Sequence, residues 1–140
     1  MGSDFVPLTL TEIMDGKRPE NRPIRVLCEG VFDLFHIGHI GVLRQAKTAF
    51  PDIILVSGVN TDADVITYKG HGTVMSYSER LTSLENCRYV DEVLYDLPYV
   101  YDLEYLNRNQ IDLVAHDDLP YIPSPDAPVE VLNFYDRFKV

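Results

Sequence analysis

Two histidines three positions apart, His36 and His39, flank Gly38 directly after a short apolar run and a Gly30-Val31-Phe32-Asp33 turn. Three features converge there. A helix that begins at this point offers unpaired backbone N–H groups, Gly30 and Gly38 let an anion approach the backbone, and two imidazoles lie close together. The combination reads as a seat for a nucleotide phosphate. Without that context the histidines would be ordinary half-buried loop residues, but the preceding strand and the Gly-x-Phe-Asp turn put the phosphate reading ahead. Further on, Lys69 precedes Gly70 in a polar, glycine-containing stretch. By position alone it is a solvated loop lysine.

The elements that must position these groups follow from hydrophobic pattern. Ile24 opens an apolar run that reads as the first strand, and the segment from His39 to about Phe50 carries Leu43, Ala46 and Phe50 at helical spacing. Pro51-Asp52 ends it, and Ile53 to Val59 forms a near-continuous apolar strand, as a parallel strand covered on both faces requires. Asn60 to Thr73 is polar and reads as a mobile loop with room for a short helix at Asp62 and Asp64. Ser76 to Glu79 has capping-box spacing and starts a helix running to Asn86. A strand at 90–95, a helix at 102–109 and a strand at 111–115 complete the described pattern. The alternation predicts an α/β fold, a Rossmann-like open parallel sheet with helices on both faces and ligands beyond the carboxyl ends of the strands. Glu29-Gly30 and His116-Asp117 lie on that edge. Residues 1–23 read as an N-terminal arm with three prolines, of which Met1-Gly2-Ser3 is set aside as a cloning scar; a terminal helix is expected from about Ala127.

Composition narrows the function classes. A chain of 140 residues fits one domain, and a formal net charge of −10 argues against a nucleic-acid surface, which needs a basic stripe. An anionic substrate must be met by a few local cations. Neither a signal peptide nor a membrane-length apolar run is evident, so a cytoplasmic protein is expected. Cys28 and Cys87 lack metal-site or redox spacing and read as buried thiols.

Five ordered blocks carry a family resemblance: GVFDLFHIGH at 30–39, Lys69-Gly70 followed by Val74-Met75, Ser78-Glu79-Arg80, CRYVDEV at 87–93, and AHDDLPY at 115–121. In these blocks residues 24–121 resemble the catalytic domain of the choline-phosphate cytidylyltransferases, within the HxGH nucleotidyltransferase superfamily. The resemblance implies transfer of the cytidylyl group of CTP to phosphocholine, with magnesium accompanying CTP and no dedicated metal cage in the protein. It assigns His36 and His39 to the triphosphate and the transition state, the Gly30, Val31 and Phe32 backbone to the nucleotide, and Lys69 to the phosphates of both substrates. Asp117 is left between nucleotide binding and capping a turn. For the choline group it implies Glu29, Tyr99, His116 and Tyr121, with Glu29 where the family has Asp and Tyr99 where it has Trp; aromatic faces and a carboxylate suit a quaternary ammonium. Core packing is the competing role for Tyr99. Arg88, Tyr89 and Asp91 match a dimer-contact segment, so a homodimer is implied.

The family's RTEGIST-like segment, which supplies an arginine to CTP, is expected beyond Val140, so the domain 24–140 reads as stopping short of it. The membrane-binding helix of the family is likewise not in this sequence. Phosphoethanolamine as substrate, and phosphocholine or nucleotide binding without turnover, stay open as alternatives.

Overall fold

A computed structural model describes residues 5–116. The expected terminal helix from Ala127, Asp117 and Tyr121 lie outside the described residues. The elements are α1 (Leu10–Met14), β1 (Ile24–Gly30), α2 (Ile37–Thr48), β2 (Ile53–Val59), α3 (Asp62–Lys69), α4 (Tyr77–Glu85), β3 (Glu92–Val93), α5 (Leu103–Arg108) and β4 (Leu113–Val114).

β1 and β2 pair in parallel from Ile24↔Ile53 to Gly30↔Val59, and the sheet order is β3-β2-β1-β4, parallel throughout. Alternation along the two central strands assigns their side chains to opposite faces. Ile24, Val26, Cys28, Ile53, Leu55 and Val59 pack with Leu43 and Ala46 of α2 and Leu81 and Leu84 of α4. Leu27 and Val56 pack on the other face with Tyr101, Leu106 and Ile111. The near-continuous apolar run of β2 is therefore explained by cover on both sides.

Three expectations change. The arm contains α1, whose start is a capping box: Thr9 Oγ1 accepts from Glu12 N at 3.1 Å and Thr9 N donates to Glu12 Oε1 at 3.2 Å. Ile13 from this helix is buried in the core. The segment is tied down further by Asp112, whose fully buried carboxylate accepts from Leu8 N, Arg25 N and both terminal nitrogens of Arg22 at 2.7–2.9 Å. Second, the stretch read as a mobile loop holds α3, eight residues capped by Thr61 and ended by Gly70 at φ +80°. Glycine takes that left-handed geometry without a Cβ clash, so the helix stops there. Third, the expected strand at 90–95 pairs only at Glu92 and Val93.

Candidate active site

The site grows from the carboxyl end of β1. Between Gly30 and α2 the chain passes through two non-glycine residues in left-handed geometry, Phe32 at φ +51° and Leu34 at φ +48°. Such residues persist only where their surroundings hold them. Phe32 is buried, and Asp33 between them is clamped: its carboxylate accepts from Met75 N at 2.9 Å, Val74 N at 2.8 Å and Leu34 N at 3.1 Å. Those bonds, led by Met75, hold the Asp33 carboxyl below the usual carboxylate range.

The loop delivers His36 as the N-cap of α2. Its Nδ1 accepts from Gly38 N at 2.9 Å, while His36 N donates to Nδ1 of His39 at 3.1 Å. A backbone N–H can only donate, so both Nδ1 atoms are acceptors and both rings carry their proton on Nε2. The ring centroids are 4.1 Å apart. His39 is steadied by a stack on Phe35 (5.5 Å, 13°) and an edge contact with Phe32 (5.5 Å, 74°). Gly38 is needed for a local reason: a Cβ there would sit 2.6 Å from His36 Cε1, where the ring now lies. At Gly30 a Cβ would rest 3.5 Å from the Phe32 ring, an ordinary contact, so sterics alone do not require that glycine.

Beneath the loop is a group that sequence reasoning placed only within a helix start. Arg80 of α4 is wholly buried and donates to Asp62 Oδ1 at 2.7 Å, Val31 O at 2.8 Å and Met75 O at 3.2 Å. Asp62 also accepts from Tyr77 N at 3.1 Å and Thr73 Oγ1 at 3.3 Å. Its carboxyl is held below the usual range, first by the Arg80 guanidinium. One guanidinium thus ties the histidine loop, the start of α3 and the 73–75 turn together. Nothing in the local pattern around Arg80 distinguishes it from a solvated helix residue.

Lys69 is the last residue of α3, not a loop residue. The helix residue before it, Tyr68, stacks on Tyr99 with centroids 4.4 Å apart and planes 12° apart. Glu29 accepts a hydrogen bond from the buried Tyr101 at 3.4 Å. Tyr68 and Tyr101 were missed because tyrosines are common here and their spacing carries no signal. The β1–β4 pairing, Leu27↔Val114, continues through Ala115 N to Leu27 O at 2.8 Å, which brings His116 level with Glu29. The structure therefore places Glu29, Gly30, His36, His39 and His116 on one edge of the sheet, as expected.

In the segment expected to make a dimer contact, the Arg88 guanidinium carbon lies 5.6 Å from the Tyr89 ring centroid. Asp91 is engaged within the chain, accepting from Lys47 Nζ at 2.6 Å and Leu55 N at 2.8 Å. An open groove of about 660 Å³ runs past Leu34, Phe35, Ile40, Met75, Cys87 and Arg88. Among the described residues no cluster of three or more His, Cys, Asp or Glu side chains could hold a metal ion, and no helix is long and apolar enough to cross a membrane.

A parallel sheet in this order, with a histidine-capped helix after its first strand, defines a Rossmann-like α/β domain. The chain belongs to the cytidylyltransferase-like family, whose model matches residues 27–137. It is 50% identical over 103 residues to a probable choline-phosphate cytidylyltransferase of Schizosaccharomyces pombe, covering 74% of this chain and 28% of that one. Human choline-phosphate cytidylyltransferase A is 45% identical over 117 residues (84% and 31%), and mouse ethanolamine-phosphate cytidylyltransferase 34% identical over 119 residues (84% and 30%). The chain spans about a third of the length of these relatives.

Proposed function

We propose that the chain carries the catalytic fold of a choline-phosphate cytidylyltransferase, joining the cytidylyl group of CTP to phosphocholine to give CDP-choline and pyrophosphate. The observation that carries this is the locked pair of imidazoles: two neighbouring Nε2–H donors, fixed before any ligand arrives. In the reaction a phosphocholine oxygen forms a bond to the α-phosphorus while the bond from that phosphorus to the α,β-bridging oxygen breaks, releasing pyrophosphate. The attacking oxygen is already anionic near neutral pH, so no base is needed. Catalysis rests on alignment and on donors aimed at charge that grows on the phosphate oxygens. His36 and His39 supply those donors, and Lys69 at the end of α3 holds the phosphates of both substrates.

Glu29, His116 and Tyr99 supply the carboxylate and aromatic surroundings for the cationic head group, together with Tyr121. The higher identity to the choline-phosphate than to the ethanolamine-phosphate relatives supports choline over ethanolamine. Magnesium would accompany CTP and offset charge on its phosphates. A homodimer belongs to the same proposal, supported by the groove beside Arg88 and the exposed Leu34 and Val74, 56% and 76% accessible. Sedimentation should then report twice the chain mass.

Calorimetric titration of this chain with phosphocholine and phosphoethanolamine tests the substrate, and pyrophosphate release with CTP, measured on the chain extended by the family's RTEGIST-like segment, tests the reaction. Preference for phosphocholine is expected from this chain, and turnover from the extended one. Equal affinity for the two amines would remove the choline assignment, and binding without pyrophosphate release would reduce the domain to a ligand-binding role. His39→Ala should abolish turnover and spare phosphocholine binding; parallel loss of both would make His39 structural.

A further inference from the structure

Phosphocholine presents an anion and a cation on a two-carbon linker, so a protein that selects it must hold its phosphate ligand and its head-group ligand at a set separation. Under the proposed function these ligands are Lys69 and Tyr99. They come from different elements, the end of α3 and the segment between β3 and α5. One side chain joins them: Tyr68, the residue before Lys69, lies flat on the Tyr99 ring at 4.4 Å and 12°.

We propose that Tyr68 is a specificity-determining positioning residue, whose stack on Tyr99 sets the separation between the head-group ring and the Lys69 ammonium. The inference rests on the proposed roles of Lys69 and Tyr99. Two further observations make the stack a gauge. The other end of α3 is already fixed, because Thr61 caps it and Arg80, Tyr77 N and Thr73 hold Asp62. Gly70, at φ +80°, ends the helix immediately after Lys69. With the start of an eight-residue helix anchored and its last turn seated on Tyr99, the helix length becomes the ruler.

The test compares wild type, Tyr68→Phe and Tyr68→Leu by calorimetric titration with phosphocholine and with its homologue carrying a three-carbon linker. Leucine is a strong helix former, so α3 persists in the variant while the stack is lost. Wild type should prefer phosphocholine, and Tyr68→Phe should keep that preference. Tyr68→Leu should bind phosphocholine about three- to tenfold more weakly, the worth of an aromatic pair, and lose most of the discrimination between the two linkers. A Tyr68→Leu protein with undiminished discrimination, beside a selective wild type, overturns this inference alone. A wild type that binds neither ligand overturns the proposed function and this inference with it.

Discussion

Two aspartates at opposite edges of the sheet use the same bond, a carboxylate accepting from donors on neighbouring segments, to different ends. Asp112, at the amino-terminal edge, accepts four hydrogen bonds, has no exposed side-chain surface and welds residues 5–25 to β4. Asp33, at the carboxyl edge, accepts three and stays half-buried, holding the 73–75 turn against the loop that carries the histidines. The first closes the structure. The second aims it, leaving the donor atoms of His36 and His39 as the groups whose orientation is prepared. Stability and function should therefore separate by edge, and substitutions can be chosen to break that separation.

The largest effect is expected at the closed edge. Asp112→Ala removes the carboxylate that pairs Arg22, which keeps Pro23 O and Val6 O, and leaves two backbone N–H groups without their acceptor; it should cost about 3–5 kcal/mol in urea unfolding. Phosphocholine affinity of the protein that remains folded should be unchanged; a matching loss of affinity would mean that the edges are coupled. Arg80→Met lies between the two regimes. Asp62, Val31 O and Met75 O lose a donor, which should lower stability by about 2–3 kcal/mol and also loosen the histidine loop, so turnover measured well below the melting temperature should fall as well. Gly38→Ala sharpens the contrast. The added methyl displaces the His36 ring, and pyrophosphate release should drop about 100-fold, or about 2.7 kcal/mol, with little change in unfolding free energy. An active Gly38→Ala protein would mean that the ring position in this structure is not the working one.

The smallest effect is in acid. The carboxyls of Asp33 and Asp62 are held below their ordinary range in the folded chain. Between the folded and unfolded values the unfolded chain binds more protons, so these groups contribute stability above about pH 4 that is lost as the pH falls further. Both are partly open to water, which screens the effect. Melting temperatures of Asp33→Asn and wild type should converge below that pH, and constant separation would mean that the carboxylate charge is not what holds the turn.

The same contrast explains what could be read from residue order. β1, β2, α2 and α4 were legible because each carries its own pattern: an apolar run, a helical stripe or a capping box. The histidine pair was legible because its spacing is local. α1 was hidden by three prolines, although Thr9 and Glu12 held the capping-box signal that would have revealed it. α3 was legible only as a short helix at Asp62 and Asp64; its polar composition hid its reach to Lys69, with the Thr61 cap and Gly70 stop as the overlooked marks. The residues that set geometry were not legible at all. Arg80, Tyr68 and Tyr101 each act through a side-chain partner, Asp62, Tyr99 and Glu29, that lies 18 to 72 positions away in sequence, and only the fold brings those partners together.

Gly58 of β2 has one more consequence. A Cβ there would stand 2.9 Å from the carbonyl oxygen of Leu94, where the chain leaves the sheet toward Tyr99 and Tyr101. Bare backbone meets bare backbone, and Leu94 N donates to Ser57 O at 2.8 Å beside it. The aromatic segment is seated there with no spacer beneath it. A single methyl would act as a shim, lifting the whole segment and tilting both tyrosines relative to Glu29. The height of the proposed head-group pocket is thus set by a position in the sheet itself, through a side chain that is missing rather than one that is present.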